Sequence, residues 1–178
     1  MTRKCKISDL KQIVDLAYIQ NNQKEHSNSF CYKNYQSIEK DYRLLIESSI
    51  SLIVGEFEND FLIGFISFYV DTERKVADIT GAFIDDKYDF NQTFNKLWKY
   101  KDHYLKDLQY NFFINSHNIN IINVLTELNA TNNGNEYIYK LDLKDFIGKP
   151  NNLPINKINE NQYHEFISMQ DNIFPTSY

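Results

Sequence analysis

The sequence predicts an α+β fold of three layers, in which helices flank a central, mixed and mostly antiparallel sheet. Two β-rich runs, Ser51 to Phe57 and Phe61 to Asp71, are joined by the sequence Glu58-Asn59-Asp60, a signature of a β-hairpin. Segments with helical spacing of apolar residues precede this hairpin, and helical and β-rich segments alternate after it. The chain has 178 residues, about the length of one domain with a substantial core.

The N-terminal part supplies a strand and two helices before the hairpin. Residues 3–7 are predicted to form the first strand, and Ser8 or Asp9 then caps a helix. The polar stretch at residues 21–29 ends that helix. A second helix is predicted near residues 35–48, where Ile38, Tyr42, Leu45 and Ile46 share one face.

A third strand of the hairpin series, Lys75 to Ile84, begins the C-terminal part. The helix predicted after it is long and amphipathic, with lysines opposite an apolar face made of Phe90, Phe94, Leu97, Trp98, Leu105 and Leu108. The elements predicted next are a strand at 110–115, a helix at 119–128, a turn at 132–135 and a strand at 136–143.

Composition and charge exclude several functional classes. The net charge of −5, with no block of lysines and arginines, gives no reason to expect a nucleic acid or a membrane as partner. The longest apolar run, Phe61 to Val70, is far shorter than the roughly 20 residues of a membrane-spanning helix. Cys5 and Cys31 form no zinc or CxxC motif, and the four histidines are scattered, so no metal site is predicted. We expect a soluble, reduced, cytoplasmic protein.

The composition changes after residue 143. Residues 144–154 contain Gly148, Pro150 and Pro154 and are predicted to be a linker between residues 1–143 and a second region. Residues 155–178 repeat in outline the strand and helix with which the chain begins. They therefore suggest the beginning of a second domain.

Three stretches and the element order β-α-α-β-β-β-α-β-α-β carry a resemblance to a known family. The hairpin LIVGEFENDFLIGFISFYV is similar to a central antiparallel pair, and residues 76–107 form a strand, turn and helix. The segment Asn118 to Ala130 is similar to the pattern N..A..lYeklGF, with Leu125 at the Tyr position. On these grounds residues 3–143 resemble the GNAT-type N-acetyltransferase superfamily, and residues 155–178 resemble the start of a second such domain.

The resemblance implies that acetyl-CoA lies in a V between two splayed parallel strands, here residues 76–84 and 110–115. Main-chain N–H groups of the loop after the first strand would hold the pyrophosphate. By this resemblance, Asp78 lies in the strand that carries the family's general base or its bridging carbonyl. The residues that would contact the cofactor are Phe83, Ile84, Asp89, Phe90, Asn91, Gln92, Thr93, Phe94 and Asn118.

The loop departs from the family pattern R/Q-x-x-G-x-G/A. Asp89 takes the Arg/Gln position, and Gln92 and Phe94 take the two glycine positions. Asp89 and Gln92 have the spacing of a capping box, in which side chains occupy the free amides of a helix. The alternative hypothesis is therefore a structural cap, with Phe90 and Phe94 closing the end of the core.

Four more residues, Asp78, Asn118, Tyr137 and Tyr139, are open to two interpretations each. Asp78 is either a base or a residue on the solvent face, and Asn118 is either a cofactor contact or a helix cap. Leu125 cannot donate a proton to a thiolate, as the family's Tyr does. Tyr137 or Tyr139 could take that role, but strand packing is the simpler interpretation.

Three functional hypotheses follow. The first is an enzyme that transfers an acetyl group from acetyl-CoA to a small-molecule amine or a peptide N-terminus. The second is a non-catalytic GNAT-like half that packs against a second GNAT domain or forms a homodimer through residues 155–178. The third, suggested only by the 13 Tyr and 13 Phe residues, is an aromatic-lined module for another small molecule.

Overall fold

Among the residues that the structure describes, five strands form one sheet in which each strand lies beside its neighbours in the chain. They are β1 (Thr2–Lys4), β2 (Leu52–Glu58), β3 (Phe61–Asp71), β4 (Val76–Ile84) and β5 (Gln109–Phe112). The pairs β1–β2, β2–β3 and β3–β4 are antiparallel, and β4–β5 is parallel. The computed structural model describes residues 1–135, 159 and 162–173, in two units, Met1–Asn132 and Asn133–Tyr178.

Helices cover both faces of the sheet, so the predicted three-layer, mostly antiparallel architecture is confirmed. The helices of the first unit are α1 (Leu10–Asn21), α2 (Tyr35–Glu47), α3 (Phe90–Tyr100) and α4 (Ile119–Glu127). One core lies between the sheet and α1 and α2, and the other lies between the sheet and α3 and α4. Short 3-10 turns occur at Ile7–Asp9, Lys24–His26 and Lys101–His103.

Aromatic rings fill both cores. On the α1/α2 side, the ring of Phe65 packs against Tyr42 and Phe83, with centroids 5.3 and 5.5 Å apart. On the α3/α4 side, Trp98 stacks on Phe94 at 5.7 Å. Such contacts add to the free energy gained by burying the rings. The high aromatic content is therefore accounted for largely by packing.

A β-bulge interrupts β4 where it faces β3. Ile66 pairs with Gly81 and Phe65 pairs with Phe83, which leaves Ala82 as the extra residue. An extra residue shifts the alternation of side chains by one. Phe83 therefore enters the α1/α2 core, while Ala82 enters the α3/α4 core. Gly81 has a φ of +94°, and a Cβ there would lie 3.0 Å from the Phe83 nitrogen, so glycine is required.

Helix α3 is shorter than the sequence predicted. It ends at Tyr100, and the chain then makes a 3-10 turn, so the assignment of Leu105 and Leu108 to this helix is wrong. Both residues still pack on the α3/α4 core, which explains why their spacing looked helical. The amine of Lys101 lies 4.3 Å from the ring centre of Trp98 and fixes the turn by a cation–π contact.

Two further predicted boundaries need correction. The first strand ends at Lys4, because Asp9 accepts hydrogen bonds from the Lys6 amide at 2.7 Å and from Arg3. The bond from Arg3 lowers the pKa of Asp9, whose side chain does not cap α1. Strand β5 ends at Phe112 and not at residue 115.

The predicted hairpin turn is confirmed. Its central residues, Asn59 and Asp60, have positive φ angles of 48° and 68°, as a two-residue type I′ turn requires. The predicted strand at 136–143 and the predicted linker at 144–154 lie outside the described residues.

The described part of the second unit contains the helix α5 (Tyr163–Ile173). Asn159 and Gln162 exchange side-chain to main-chain hydrogen bonds immediately before it, at 3.1 and 3.3 Å. Tyr163, Phe166 and Met169 lie along this helix and are exposed. In the described part of the chain, no helix is long and apolar enough to cross a membrane.

The Phe94 ring is fully buried and stacks between Phe90 and Trp98, whereas Phe90 is only half-buried. We expect Phe94→Ala to lower the free energy of unfolding by about 3–5 kcal/mol, because it leaves a cavity in the core. Phe90→Ala, the matched control, should cost less than half as much. Urea unfolding followed by circular dichroism measures both. Equal losses would contradict this assignment of the core.

Candidate functional site

The parallel strands β4 and β5 stop pairing partway along β4. Residues Val76 to Ile79 pair with Gln109 to Phe112. Beyond Ile79, β4 continues to Ile84, and among the residues that the structure describes it pairs there with β3 alone. A gap therefore opens between the two strands on the side of their carboxyl ends, where α/β folds commonly bind ligands.

Residues 27–29, hereafter the vertex segment, bridge the start of this gap. The amide of Ser29 donates to the Phe113 carbonyl at 2.7 Å, and the amide of Asn115 donates to the Ser27 carbonyl at 3.1 Å. The two bonds form an antiparallel bridge to the chain just after β5. The vertex segment thus takes the place that a neighbouring strand would have.

The side chain of Asn28 completes the bridge on the β4 side. Its Nδ2 donates to the carbonyls of Ile79 and Gly81 at 3.2 and 3.4 Å. The side-chain Oδ1 of Asn28 accepts a hydrogen bond from the main-chain amide of Phe30. The main-chain amide of Asn28 donates to Asn21 Oδ1 at 2.7 Å. Asn28 is 1% exposed. The vertex of the gap is therefore filled by a polar residue with a full set of hydrogen bonds.

Helix α3 begins where the resemblance places the pyrophosphate. Asp89 is its N-cap, and Oδ1 accepts from the Gln92 amide at 2.6 Å. The Thr93 amide donates to the Asp89 carbonyl. Helical geometry leaves the amides of Phe90 and Asn91 without an intrahelical acceptor. The Asp89 half of the predicted capping box is formed, and helical geometry leaves two main-chain donors for an anion.

The predicted cofactor-contacting residues of this region fall into two groups. The side chains of Phe83, Ile84, Thr93 and Phe94 are buried in the protein. Those of Asp89, Asn91 and Gln92 are exposed, and Phe90 is half-buried. Only the side chains of the second group are available to a ligand.

The turn before α3 is acidic. It contains Asp85, Asp86 and Asp89, with Lys87 as its one basic residue. Asp86 accepts from Gln20 at 3.3 Å and lies 3.4 Å from the His26 Nε2. Two like charges about 4 Å apart repel by roughly 4 kcal/mol at an effective dielectric of 20, and by less when they are exposed. These carboxylates oppose an anion that the α3 amides would attract.

Asp78 lies on the opposite side of the sheet from α3, facing α1 and α2. Its Oδ1 accepts from Asn111 Nδ2 at 3.1 Å, and it pairs in register with Tyr69. The Tyr69 hydroxyl donates to Asp41 of α2, and burial raises the pKa of Asp41. A half-exposed carboxylate held by an amide can accept a proton from an amine.

The other two residues that the resemblance singles out lie at or in helix α4, where both have structural roles. Asn118 is 2% exposed, and its Oδ1 caps the helix by accepting from the Ile121 amide at 3.2 Å. Leu125 packs against the α3/α4 core. The observed hydrogen bond of the Asn118 side chain therefore agrees with its interpretation as a helix cap. Tyr137 and Tyr139 lie outside the described residues.

The cysteines are not placed for nucleophilic chemistry. Cys5 and Cys31 are free and buried. Burial raises the pKa of the Cys31 thiol to about 12, so little thiolate exists at neutral pH. Within residues 1–135 and the other described positions, no group of three or more His, Cys, Asp or Glu side chains could hold a metal ion.

Sequence reasoning missed the vertex segment and the Asp41–Tyr69 pair. The vertex segment belongs to the polar stretch at 21–29, whose pattern gives no sign of long-range contacts. The glycine within β4, Gly81, was a usable signal, because a glycine inside a strand often marks a bulge.

Comparisons with solved structures give low sequence identity and a shared fold. An acetyltransferase of the GNAT family from Streptococcus pneumoniae is 12% identical, with a TM-score of 0.54 over 72% of this chain and 82% of that chain. An aminoglycoside 6'-N-acetyltransferase from Acinetobacter haemolyticus is 8% identical, with a TM-score of 0.58 over 80% and 99%.

A third solved structure holds a ligand. AAC(6')-Iy, in complex with the bisubstrate analogue CoA-S-monomethyl-acetylneamine, is 12% identical, with a TM-score of 0.55 over 80% of this chain and 97% of that chain. No protein-family model and no curated protein sequence matches this chain.

The cap of α3 can be tested by its effect on stability. We expect Asp89→Ala to lower the free energy of unfolding by about 0.5–2 kcal/mol, because the Gln92 amide loses its acceptor. Asp89→Asn keeps an acceptor oxygen and should cost less. Asn91→Ala, on the same exposed turn, is the control. A loss for Asp89→Ala no larger than that for Asn91→Ala, measured by thermal unfolding, would show that the cap contributes nothing.

Proposed function

We propose that this chain, which has the GNAT-type N-acetyltransferase fold, is a cytoplasmic enzyme that transfers an acetyl group from acetyl-CoA to an amine. The observation that carries the proposal is the gap between β4 and β5, which opens towards the N-terminus of α3. A fold with a separated parallel pair and a helix N-terminus beyond it can hold an extended ligand that ends in an anion.

The main chain supplies the cofactor contacts in this proposal. The amides of Phe90 and Asn91 would bind the pyrophosphate, since helical geometry leaves them free. The Asp89 carboxylate beside them weakens this site but leaves both donors accessible. Bound acetyl-CoA would supply the acyl group as a thioester.

The acceptor amine would approach from the α1/α2 side. Asp78 is held there by Asn111, and the Tyr69 hydroxyl and Asp41 lie on the same side of the sheet. In this proposal Asp78 removes a proton from the ammonium form of the acceptor, so that the nitrogen lone pair is free to attack the thioester carbonyl. The C–S bond then breaks, and CoA leaves as a thiolate that takes a proton from solvent. Negative side chains on this face favour a cationic acceptor, a small-molecule amine or a peptide N-terminus.

A second candidate function is a non-catalytic GNAT-like domain. It is favoured by the Asp89 carboxylate on the α3 amides, the filled vertex and Leu125 at the Tyr position. In this case α5, with its exposed Tyr163, Phe166 and Met169, would pack against a second GNAT domain or a second copy of the chain.

Calorimetry with two ligands separates the candidates. We expect acetyl-CoA to bind with a Kd between about 10 µM and 1 mM. Asp89→Asn should tighten this binding severalfold, because it removes one negative charge beside the pyrophosphate. Pantetheine, which lacks the pyrophosphate, is the matched control and should bind both proteins equally. No heat from acetyl-CoA or CoA up to millimolar ligand, in either protein, would favour the non-catalytic candidate.

The base can be tested by kinetics. We expect Asp78→Asn to lower kcat by about 10²–10⁴-fold, with little change in the Kd for acetyl-CoA, because only proton removal is lost. The assay is release of CoA thiol in the presence of a panel of amines. Asp71→Asn, at the last residue of β3, is the control. An unchanged kcat for Asp78→Asn would show that Asp78 is not the base.

A further inference from the structure

Where β4 and β5 diverge, main-chain groups of both strands lose the hydrogen-bond partners that a neighbouring strand would supply. The carbonyls of Ile79 and Gly81 point into the gap from β4, and main-chain groups of Phe113 and Asn115 point into it from the other side. Such groups, when buried, must be paired. In this chain, residues 27–29 pair them.

We propose that the vertex segment, residues 27–29, is an autoinhibitory contact that must leave the gap before acetyl-CoA can bind. This inference rests on the proposed function, because it takes the gap as the cofactor site. The Asn28 carboxamide donates to β4 as an amide of the pantetheine arm would, and the main chain at residues 27–29 pairs as an added strand would. Protein and ligand would therefore compete for the same groups.

The segment is held from both ends. Asn21 Nδ2 donates to the carbonyls of Cys31 and Tyr32 at 3.0 and 2.9 Å, which fixes the loop after the segment. Lys33 Nζ donates to Ser27 Oγ at 2.7 Å. These bonds hold the closed arrangement without contributing a group to the gap itself. They define an ordered closed state whose stability sets the apparent affinity for a ligand.

The same loop is tied to the turn that precedes α3. His26, next to the vertex segment, lies 3.4 Å from Asp86, and Gln20 donates to the same carboxylate. Asp86 lies three residues before Asp89, the N-cap of α3, so this turn joins the loop that carries the segment to the proposed anion site. Binding at one end of the gap is thus linked by contiguous contacts to closure at the other.

The first test is the affinity for CoA of variants of the full chain. Asn28→Ala removes the bridge to β4 and should bind CoA at least about tenfold more tightly than the wild type in calorimetry. Asn22→Ala is the matched control, since Asn22 also donates to two carbonyls, those of Tyr18 and Lys33, but lies outside the gap. It should bind CoA as the wild type does. Equal affinities for Asn28→Ala and the wild type would overturn the proposal.

The second test needs no variant and covers the case in which Asn28→Ala fails to fold. Hydrogen exchange of the Ser29 amide, which donates across the bridge to the Phe113 carbonyl, is measured with and without saturating CoA. Displacement predicts that this amide exchanges at least about tenfold faster with CoA bound, because it loses its acceptor. Protection that persists in the complex would show that ligand and segment coexist, and the proposal would be wrong.

The failure of this inference differs from the failure of the proposed function. If Asn28→Ala binds CoA more tightly but no amine is acetylated, the contact is autoinhibitory and the transferase activity is absent. If the wild type binds CoA with full protection at Ser29 and acetylates an amine, the activity is present and the inhibitory contact is refuted. If neither the wild type nor the folded variant binds CoA, the vertex segment is not the obstacle, and this also overturns the inference.

Discussion

The pairing of main-chain groups where β4 and β5 separate is the constraint on which the rest of this structure depends. Parallel strands that part inside a protein expose carbonyls and amides that water cannot reach. In this chain the side chain of Asn28 pairs with these groups on β4. Asn28 is itself hydrogen-bonded to Asn21, at the end of α1. The position of the loop between α1 and α2 therefore follows from the sheet, although it lies far away in sequence.

At the N-terminus of α3, the protein's own cap and an anionic ligand compete for the same main-chain amides. The free amides at a helix N-terminus attract an acceptor, whether that acceptor belongs to the protein or to a ligand. Asp89 takes the Gln92 amide and leaves two amides beside its own negative charge. The same cap that stabilises the helix thus reduces its affinity for a phosphate. Stability and ligand binding place opposite demands on this residue.

Periodic features of the fold could be predicted from the sequence, and contacts that span long distances could not. The hairpin β2–β3, helices α2 and α4 and the Asp89 cap follow from local spacing and turn chemistry. Leu105 was misassigned, because its apolar spacing continues after the helix has ended. Asn28 could not be identified, since a polar residue in a polar stretch has no local pattern that reveals a partner 51 residues away. The candidate base, Asp78, was found through the resemblance and not through spacing.

The strand order has a consequence for the sequence of events in folding. Strands β2, β3 and β4 pair through short connections, so their contacts close small loops and can form early. The parallel strand β5 can pair with β4 only after the intervening helix α3 has packed on the sheet. The bridge from Asn28 to β4 closes a loop of 51 residues and needs both edges of the gap in place. The gap would thus be sealed only after β4 and β5 are both in place.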